Sequence, residues 1–249
     1  MIDIILTTYE RPHFLLKTVT AILGNTLPGS YRLTVSDDCS RDHETPAILD
    51  WIDERWIGTV IRHSKREGIV PGFNGLWERV KDSDSEYVCY LQDDAMPVQK
   101  GWLQTLVEAF EDSKGRMNVG FFCGFDAPEH PVSRTVIDVM GRTVLLKAST
   151  SATNLIATKG FWKSVGVPVP LLNPDGKKRG FPNDGVGSQI DLWLTGCMSL
   201  SRFTKWAASP TCSFLQGKSV LVVPGLIQHL GQEKKDSTWQ MERELRTKD

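Results

Sequence analysis

The sequence predicts an α/β fold: one domain with a mostly parallel central sheet, helices on its faces, and a small mixed region in the second half. Three observations predict it. Apolar strand-like runs alternate with helix-like runs over the first 112 residues, which is the rhythm of a βα repeat. The strand-like runs are near-continuous Ile, Val and Leu, as parallel strands covered on both faces require. After residue 115 the rhythm gives way to a strand and a hairpin. The chain of 249 residues, 40% hydrophobic and 24% charged, is large enough for one substantial core.

The elements follow in order. "IDIILTT" (2–8) reads as a strand and 12–24 as a helix; "YRLTVSD" (31–37) precedes a helix over 43–54; "IGTVIRH" (57–63) precedes one over 71–82; "EYVCYLQ" (86–92) precedes one over 100–112. Spacing carries the helices. Phe73, Leu76, Trp77 and Val80 fall at i, i+3, i+4 and i+7, and Trp102, Leu103, Leu106, Val107 and Phe110 form a similar stripe. Such strands run parallel with right-handed crossovers. "MNVGFFCGFD" (117–126) then reads as a strand, and "RTVIDVMGRTVLLKAS" (134–149) as a hairpin turning at Gly141. Residues 168–188, rich in Pro, Gly, Asn and Asp, read as a long ordered loop or lid over the site. A helix over 189–206, a strand "SVLVVPG" (219–225) and a charged tail over 232–249 complete the chain.

Bulk properties exclude several classes. A formal charge of −1 gives no overall field for nucleic acid or an anionic membrane. Cys39, Cys89, Cys123, Cys197 and Cys212 lack C-x-x-C or metal-type spacing, so they read as reduced thiols. No apolar run approaches the roughly 18 residues of a membrane span, and the chain opens on "MIDIILTTY" rather than on a signal peptide. The expectation is a cytoplasmic protein without stable membrane insertion.

The chemistry starts from "EYVCYLQDDAMP" (86–97), where a strand built for an interior ends on Asp93 and Asp94. In an open parallel sheet, ligands bind beyond the carboxyl ends of the strands. Two adjacent carboxylates there repel each other and lose solvation, and a cation or sugar hydroxyls would relieve both penalties. Mg²⁺ or Mn²⁺ accepts one or two carboxylates plus substrate phosphate oxygens, which suits a nucleoside diphosphate. Alone, the dipeptide also reads as a solvated turn before Pro97. The first strand, however, ends in "TTYERP" (7–12) and the second in "SDDCSRD" (36–42), so three strand ends of one half-sheet carry polar clusters that would converge on one crevice.

In their order and spacing these segments resemble the family 2 glycosyltransferases of the GT-A fold, with its Rossmann-like sheet. That family opens on a strand ending in Thr-x-Tyr-Asn, has a second strand ending in Asp-Asp-x-Ser and a fourth ending in an Asp-rich metal motif. "TNLIATKGFWKSVG" (153–166) is similar to the strand and helix that begin the family's acceptor half, and "VLVVPGLIQHLG" (220–231) to its late strand with a Pro and a following His. The resemblance implies a nucleotide-sugar-binding half (1–115), an acceptor half (116–231) and a tail (232–249). It implies that Thr7 and Tyr9 line the base, that Asp38, helped by Asp37, accepts from a uracil-like N–H, and that Arg11 and Arg66 meet the pyrophosphate. Each has a plainer reading: Asp38 and Ser40 also fit a loop entering a helix, and arginines are commonly solvated.

By the same resemblance Asp93 reaches the ribose, and Asp94 with His229 holds Mn²⁺ or Mg²⁺ against a diphosphate. A solitary His in a loop is otherwise unremarkable. Inverting transfer needs a carboxylate base near the acceptor hydroxyl. The family's Glu-Asp-x-Asp corresponds here to "SQIDLW" (188–193), which keeps Asp191 but puts Gln189 at the usual base position. Asp191 is the first choice of base and Asp184 the second; Asp191 also suits a helix N-terminus, and a retaining mechanism would need neither. The implied donor is a UDP-sugar. The acceptor is open: a glycan, a lipid-linked group or modified nucleic acid, with Trp162, Trp193 and Trp239 as sugar platforms or core, and "GKKRG" (176–180) as a phosphate contact or a solvated loop.

A dinucleotide enzyme would carry G-x-G-x-x-G after the first strand, where this chain reads "TTYERPHF", and no P-loop motif occurs. A sugar nucleotidyltransferase would bring a Gly-rich, Arg-containing first loop. A non-catalytic module binding nucleotide sugars or glycans stays open, motivated by Gln189.

Overall fold

A computed structural model describes residues 1–114, 116–127, 132–139, 141–147, 153–166 and 218–230 of the chain. Its first half is the expected repeat: β1 (Ile2–Thr8), α1 (Pro12–Asn25), β2 (Tyr31–Asp37), α2 (Glu44–Glu54), β3 (Thr59–Arg62), α3 (Ile69–Val80) and β4 (Tyr87–Gln92). A short β5 (Ala95–Pro97), α4 (Trp102–Ser113), β6 (Val119–Cys123), the hairpin β7 (Val132–Val139) and β8 (Arg142–Lys147), β9 (Asn154–Thr158), α5 (Lys159–Val165), β10 (Ser219–Val222) and β11 (Ile227–His229) follow.

Local chemistry explains the ends. Pro12 opens α1, where its fixed φ suits the first turn and no N–H is needed. α3 begins two residues before the Pro71 start that the spacing predicts, because a proline is also tolerated inside a first turn. α4 begins at Trp102 because Gly101, at φ 71°, turns the chain immediately before it. Thr158 caps α5 by accepting the Phe161 N–H at 3.1 Å.

Nine strands form one sheet in the order β3-β2-β1-β4-β9-β6-β10-β8-β7. β1 pairs parallel with β2 and β4, and β2 with β3. β9 enters antiparallel between β4 and β6, so the mixed region extends the parallel sheet rather than standing apart. β10 runs parallel to β6 and antiparallel to β8. A two-stranded sheet pairs β5 with β11.

Strand alternation divides the interior. Ile2, Ile4 and Leu6 of β1 face the core built with α1, α2 and α4, whereas Ile5 joins the core of α3 and α5. Trp162 anchors that second core: it is fully buried, lies edge-on to Phe121 with centroids 4.9 Å apart, and donates Nε1–H to the Val88 carbonyl at 3.1 Å. Of its two sequence readings, the structure gives core packing. α1 and α2 cover one face and α3 crosses to the other, so the winding reverses between β1 and β4. In open α/β sheets this switch point is where the binding crevice lies.

Among the described residues no helix is long and apolar enough to cross a membrane. Cys39, Cys89 and Cys123 carry no disulfide. The expected lid over 168–188, the helix over 189–206 and the tail over 232–249, with Asp184, Gln189, Asp191, Trp193, Cys197, Cys212 and Trp239, lie outside the described residues.

Candidate active site at the carboxyl ends of β1, β2 and β4

The parallel register of β1 with β2 and β4 brings Thr7–Thr8, Ser36–Asp37 and Gln92 to one edge, so the loops that follow leave the sheet side by side. Asp93 and Asp94 begin one of these loops. Their side chains are 4% and 3% exposed, and a cation from the chain itself meets them: Arg11 Nη1 donates to Asp93 Oδ1 at 2.9 Å and Nη2 to Asp94 Oδ2 at 2.5 Å. Both are charge-assisted hydrogen bonds. Thr8 Oγ1 donates to the other oxygen of Asp93 at 2.9 Å. Burial pushes Asp93 up to about 6, against the lowering effect of Arg11 and Thr8, while the neighbouring Asp94 charge adds to the rise.

The backbone under the two acids is pinned from both sides. Thr18 of α1 donates to the Asp93 carbonyl at 2.6 Å, and the Leu230 N–H donates to the Asp94 carbonyl at 2.8 Å. The second bond extends the β5–β11 ladder, in which His229 stands opposite Ala95. That pairing puts His229 Nε2 at 3.5 Å from Asp94 Oδ2, the oxygen Arg11 also holds. Phe125 stacks on the imidazole with centroids 5.4 Å apart and planes at 28°. Phe125 follows Gly124, whose place admits no side chain: a Cβ would lie 2.8 Å from Ile227 and 2.9 Å from Leu226. The acids differ from Asp3 at the opposite edge of the sheet, whose oxygens are occupied by Arg32, Ser83 and Ser85. Asp94 Oδ1 and His229 Nδ1 are buried without a hydrogen-bond partner among the described residues.

The two acids at the end of β2 do different work. Asp37 folds back on its own loop, accepting from the Ser40 hydroxyl at 2.5 Å and the Ser40 N–H at 3.1 Å, and burial raises its pKa although these bonds lower it. Ser40 Oγ in turn accepts the Glu10 N–H at 2.8 Å, joining the β1 and β2 loops. Asp38 reaches the β3–α3 loop, its two oxygens accepting the Glu67 and Gly68 N–H groups at 2.7 and 2.9 Å. This anchors the segment that lays the Arg66 guanidinium over the Tyr9 ring, 4.1 Å from its centroid. Thr7 Oγ1 lies 3.0 Å from the Tyr90 hydroxyl. Glu10 and Cys39, both in these loops, hold φ at 48° and 66°, a left-handed conformation that non-glycine residues adopt only when neighbours impose it.

One rim thus carries two neighbouring constellations: Tyr9, Arg66 and Asp38 on one side, Arg11, Asp93, Asp94 and His229 on the other. Sequence reading missed Thr8, Thr18 and Phe125. Thr8 was legible from strand alternation, since it must face opposite Thr7; Thr18 and Phe125 act through contacts between distant elements and leave no local signal. No group of three His, Cys, Asp or Glu side chains among the described residues has metal-binding geometry. Asp94 and His229 nonetheless offer a hard carboxylate oxygen and an imidazole nitrogen side by side, a donor pair that would suit Mn²⁺ better than Mg²⁺.

Comparison with known proteins places the geometry in context. The family model described as glycosyl transferase family 2 matches residues 3–149. No curated protein sequence matches the chain. Among solved structures, the mannosyltransferase PcManGT from Pyrobaculum calidifontis, in complex with GDP-Man and Mn²⁺, is similar with a TM-score of 0.57 and 12% identity, covering 97% of this chain and 60% of that one. S. aureus TarS 1-349 gives 0.51 and 14%, covering 78% and 54%. GalNAc-T7 with UDP, GalNAc and Mn²⁺ gives 0.54 and 15%, covering 90% and 42%. At such identities the likeness is one of fold, and this chain spans only 42–60% of the length of these three proteins.

Proposed function

Because the chain belongs to glycosyl transferase family 2, we propose that it transfers a sugar from a nucleoside diphosphate sugar to an acceptor hydroxyl, using the rim of β1, β2 and β4 as the donor site. The observation that carries this reading is the convergence of Asp93, Asp94 and His229 beside the Tyr9–Arg66–Asp38 cluster, at the switch point of the sheet. Structural neighbours crystallised with UDP-GlcNAc, and with GDP-Man and Mn²⁺, support the donor class.

In this reading Tyr9 offers its ring to the base, Arg66, held over Tyr9, is a pyrophosphate partner, and Asp38, with Asp37 behind it, accepts from a base N–H. That favours UDP. Both Asp38 oxygens already hold one amide each, and a carboxylate oxygen accepts more than one donor. Thr7 stands at the edge of the same slot. Asp93 takes a ribose hydroxyl, Arg11 turns its two-pronged guanidinium to the diphosphate, and Asp94 with His229 would hold Mn²⁺ or Mg²⁺. When bound, the ion neutralises the charge on the departing diphosphate as a Lewis acid. Transfer is inverting, with Asp191 as the general base and Asp184 as its alternate.

Calorimetry with UDP, GDP and CDP in Mn²⁺ tests the donor site: UDP binds most tightly if the reading is right, and equal or absent binding of all three rejects it. Asp94→Ala is expected to abolish Mn²⁺-dependent release of UDP from the sugar nucleotide while the far-UV circular dichroism stays that of the wild type. Retained Mn²⁺-dependent turnover in that variant would reject the metal assignment, and affinity without turnover in the wild type would favour a binding module.

A further inference from the structure

We propose that Arg11 is the resident counter-ion of the Asp93–Asp94 pair and that it exchanges with the divalent cation, so that cation and nucleoside diphosphate enter this site as a coupled pair. The inference rests on reading the rim as a nucleoside-diphosphate site. It concerns a side chain that performs two tasks in succession.

The geometry sets up a competition. Arg11 Nη2 and His229 Nε2 both face the same oxygen, Asp94 Oδ2, at 2.5 and 3.5 Å. An ion joined to Asp94 and His229 therefore claims an oxygen that a guanidinium already occupies, and two cations sharing it at contact distance repel each other. The carboxylates are the fixed partners, because their backbone is held by Thr18 and Leu230 and their side chains are buried. Arg11 is the movable one. Its side chain is 38% exposed, against 4% and 3% for the two acids, and it lies over the Phe14 ring of α1, 4.6 Å from the centroid, a contact that has to shift when the guanidinium moves.

Neither ligand alone satisfies the site. A cation arriving by itself finds two protein donors and must strand the guanidinium. A diphosphate arriving by itself brings further negative charge to two buried carboxylates. Arriving together, the ion takes the carboxylate and the phosphate oxygens that complete its shell, while the released guanidinium gains a bidentate anionic partner. Asp94 Oδ1, buried without a partner among the described residues, marks the same carboxylate as having an oxygen to spare for a further donor, unlike the filled Asp3.

Manganese electron paramagnetic resonance, which reads free Mn²⁺ directly, tests the exchange on the full chain with and without UDP. In the wild type, saturating UDP is expected to tighten Mn²⁺ binding by about tenfold or more, and by reciprocity Mn²⁺ tightens UDP binding by the same factor in calorimetry. Arg11→Met, which keeps the stem and removes the charge, is expected to tighten Mn²⁺ binding in the absence of UDP by about tenfold and to shrink the gain on adding UDP. Arg11→Lys keeps one charge but cannot bridge both acids, and should fall between the two, which also covers the case that Arg11→Met fails to fold. Unchanged Mn²⁺ affinity and unchanged UDP dependence in these variants would overturn the exchange while leaving the metal–diphosphate site standing. Absence of Mn²⁺ binding in all three proteins with UDP present would remove the site reading itself.

Discussion

Asp38→Ala should loosen a loop as well as weaken the proposed base contact. The carboxylate accepts the Glu67 and Gly68 N–H groups at 2.7 and 2.9 Å from a side chain that is almost wholly buried. A hydrogen bond to a charged group contributes about 1.5–3 kcal/mol. The two bonds share one anchor and lie at the rim, where water replaces part of what is lost, so the expected net cost is about 2–3 kcal/mol rather than their sum. For a protein of this size that corresponds to a fall in Tm of about 4–12 °C. Asp38→Asn should recover little of it: a carboxamide has one acceptor oxygen, so one of the two backbone N–H groups would face an NH₂. Urea denaturation measures the stability, and limited trypsin digestion reads the loop, since Lys65 and Arg66 are cleavage sites in the segment Asp38 holds. Cleavage there should accelerate in both variants. Wild-type digestion with a stability change under about 0.5 kcal/mol would refute the anchor.

Two further outcomes follow from burial. Trp162→Ala removes a side chain surrounded by Phe73, Trp77 and Phe121 together with its hydrogen bond to the Val88 carbonyl; a loss of about 4–5 kcal/mol is expected in urea denaturation, and a loss under about 1 kcal/mol would contradict the core assignment. Asp93, pushed up to about 6 by burial, keeps its proton in the folded chain at a pH where the unfolded carboxyl has lost it. The stability this group contributes is therefore present below about pH 4 and lost as pH rises through about 6. That rise corresponds to about 2–3 kcal/mol, so Asp93→Asn should flatten the fall in denaturation free energy between pH 4.5 and 7.5, and a slope identical to wild type would exclude the assignment.

The parts of the fold written in short-range periodicity were legible. β1, β2 and β4 match their apolar runs, α1 and α2 match theirs within a residue or so, and the Gly141 turn joins the strands foreseen for it. What the sequence hid depends on pairings between distant segments. Three-residue strands such as β5 and β11 have no period to detect, yet their ladder is what carries His229 to Asp94. Likewise nothing local in "TYERP" says that Arg11 will close over Asp93 and Asp94, although both loops were expected at the same edge.

The structure therefore modifies the question that the paired acids raise. A strand of a buried sheet can end on two negative charges because the preceding loop along that rim delivers a guanidinium to them, and the other acids of the rim are likewise engaged with the chain: Asp37 with its own turn, Asp38 with the Arg66 loop. Side chains proposed to meet a donor are thus also the ties that shape the crevice. A loss of turnover on replacing one of them does not by itself identify a ligand contact, because a slack loop would abolish turnover as well. Trypsin cleavage at Lys65 and Arg66 and the Mn²⁺ binding proposed at Asp94 separate the two effects: a variant that loses UDP affinity with both readouts unchanged has lost a contact, and one that gains cleavage has lost the shape.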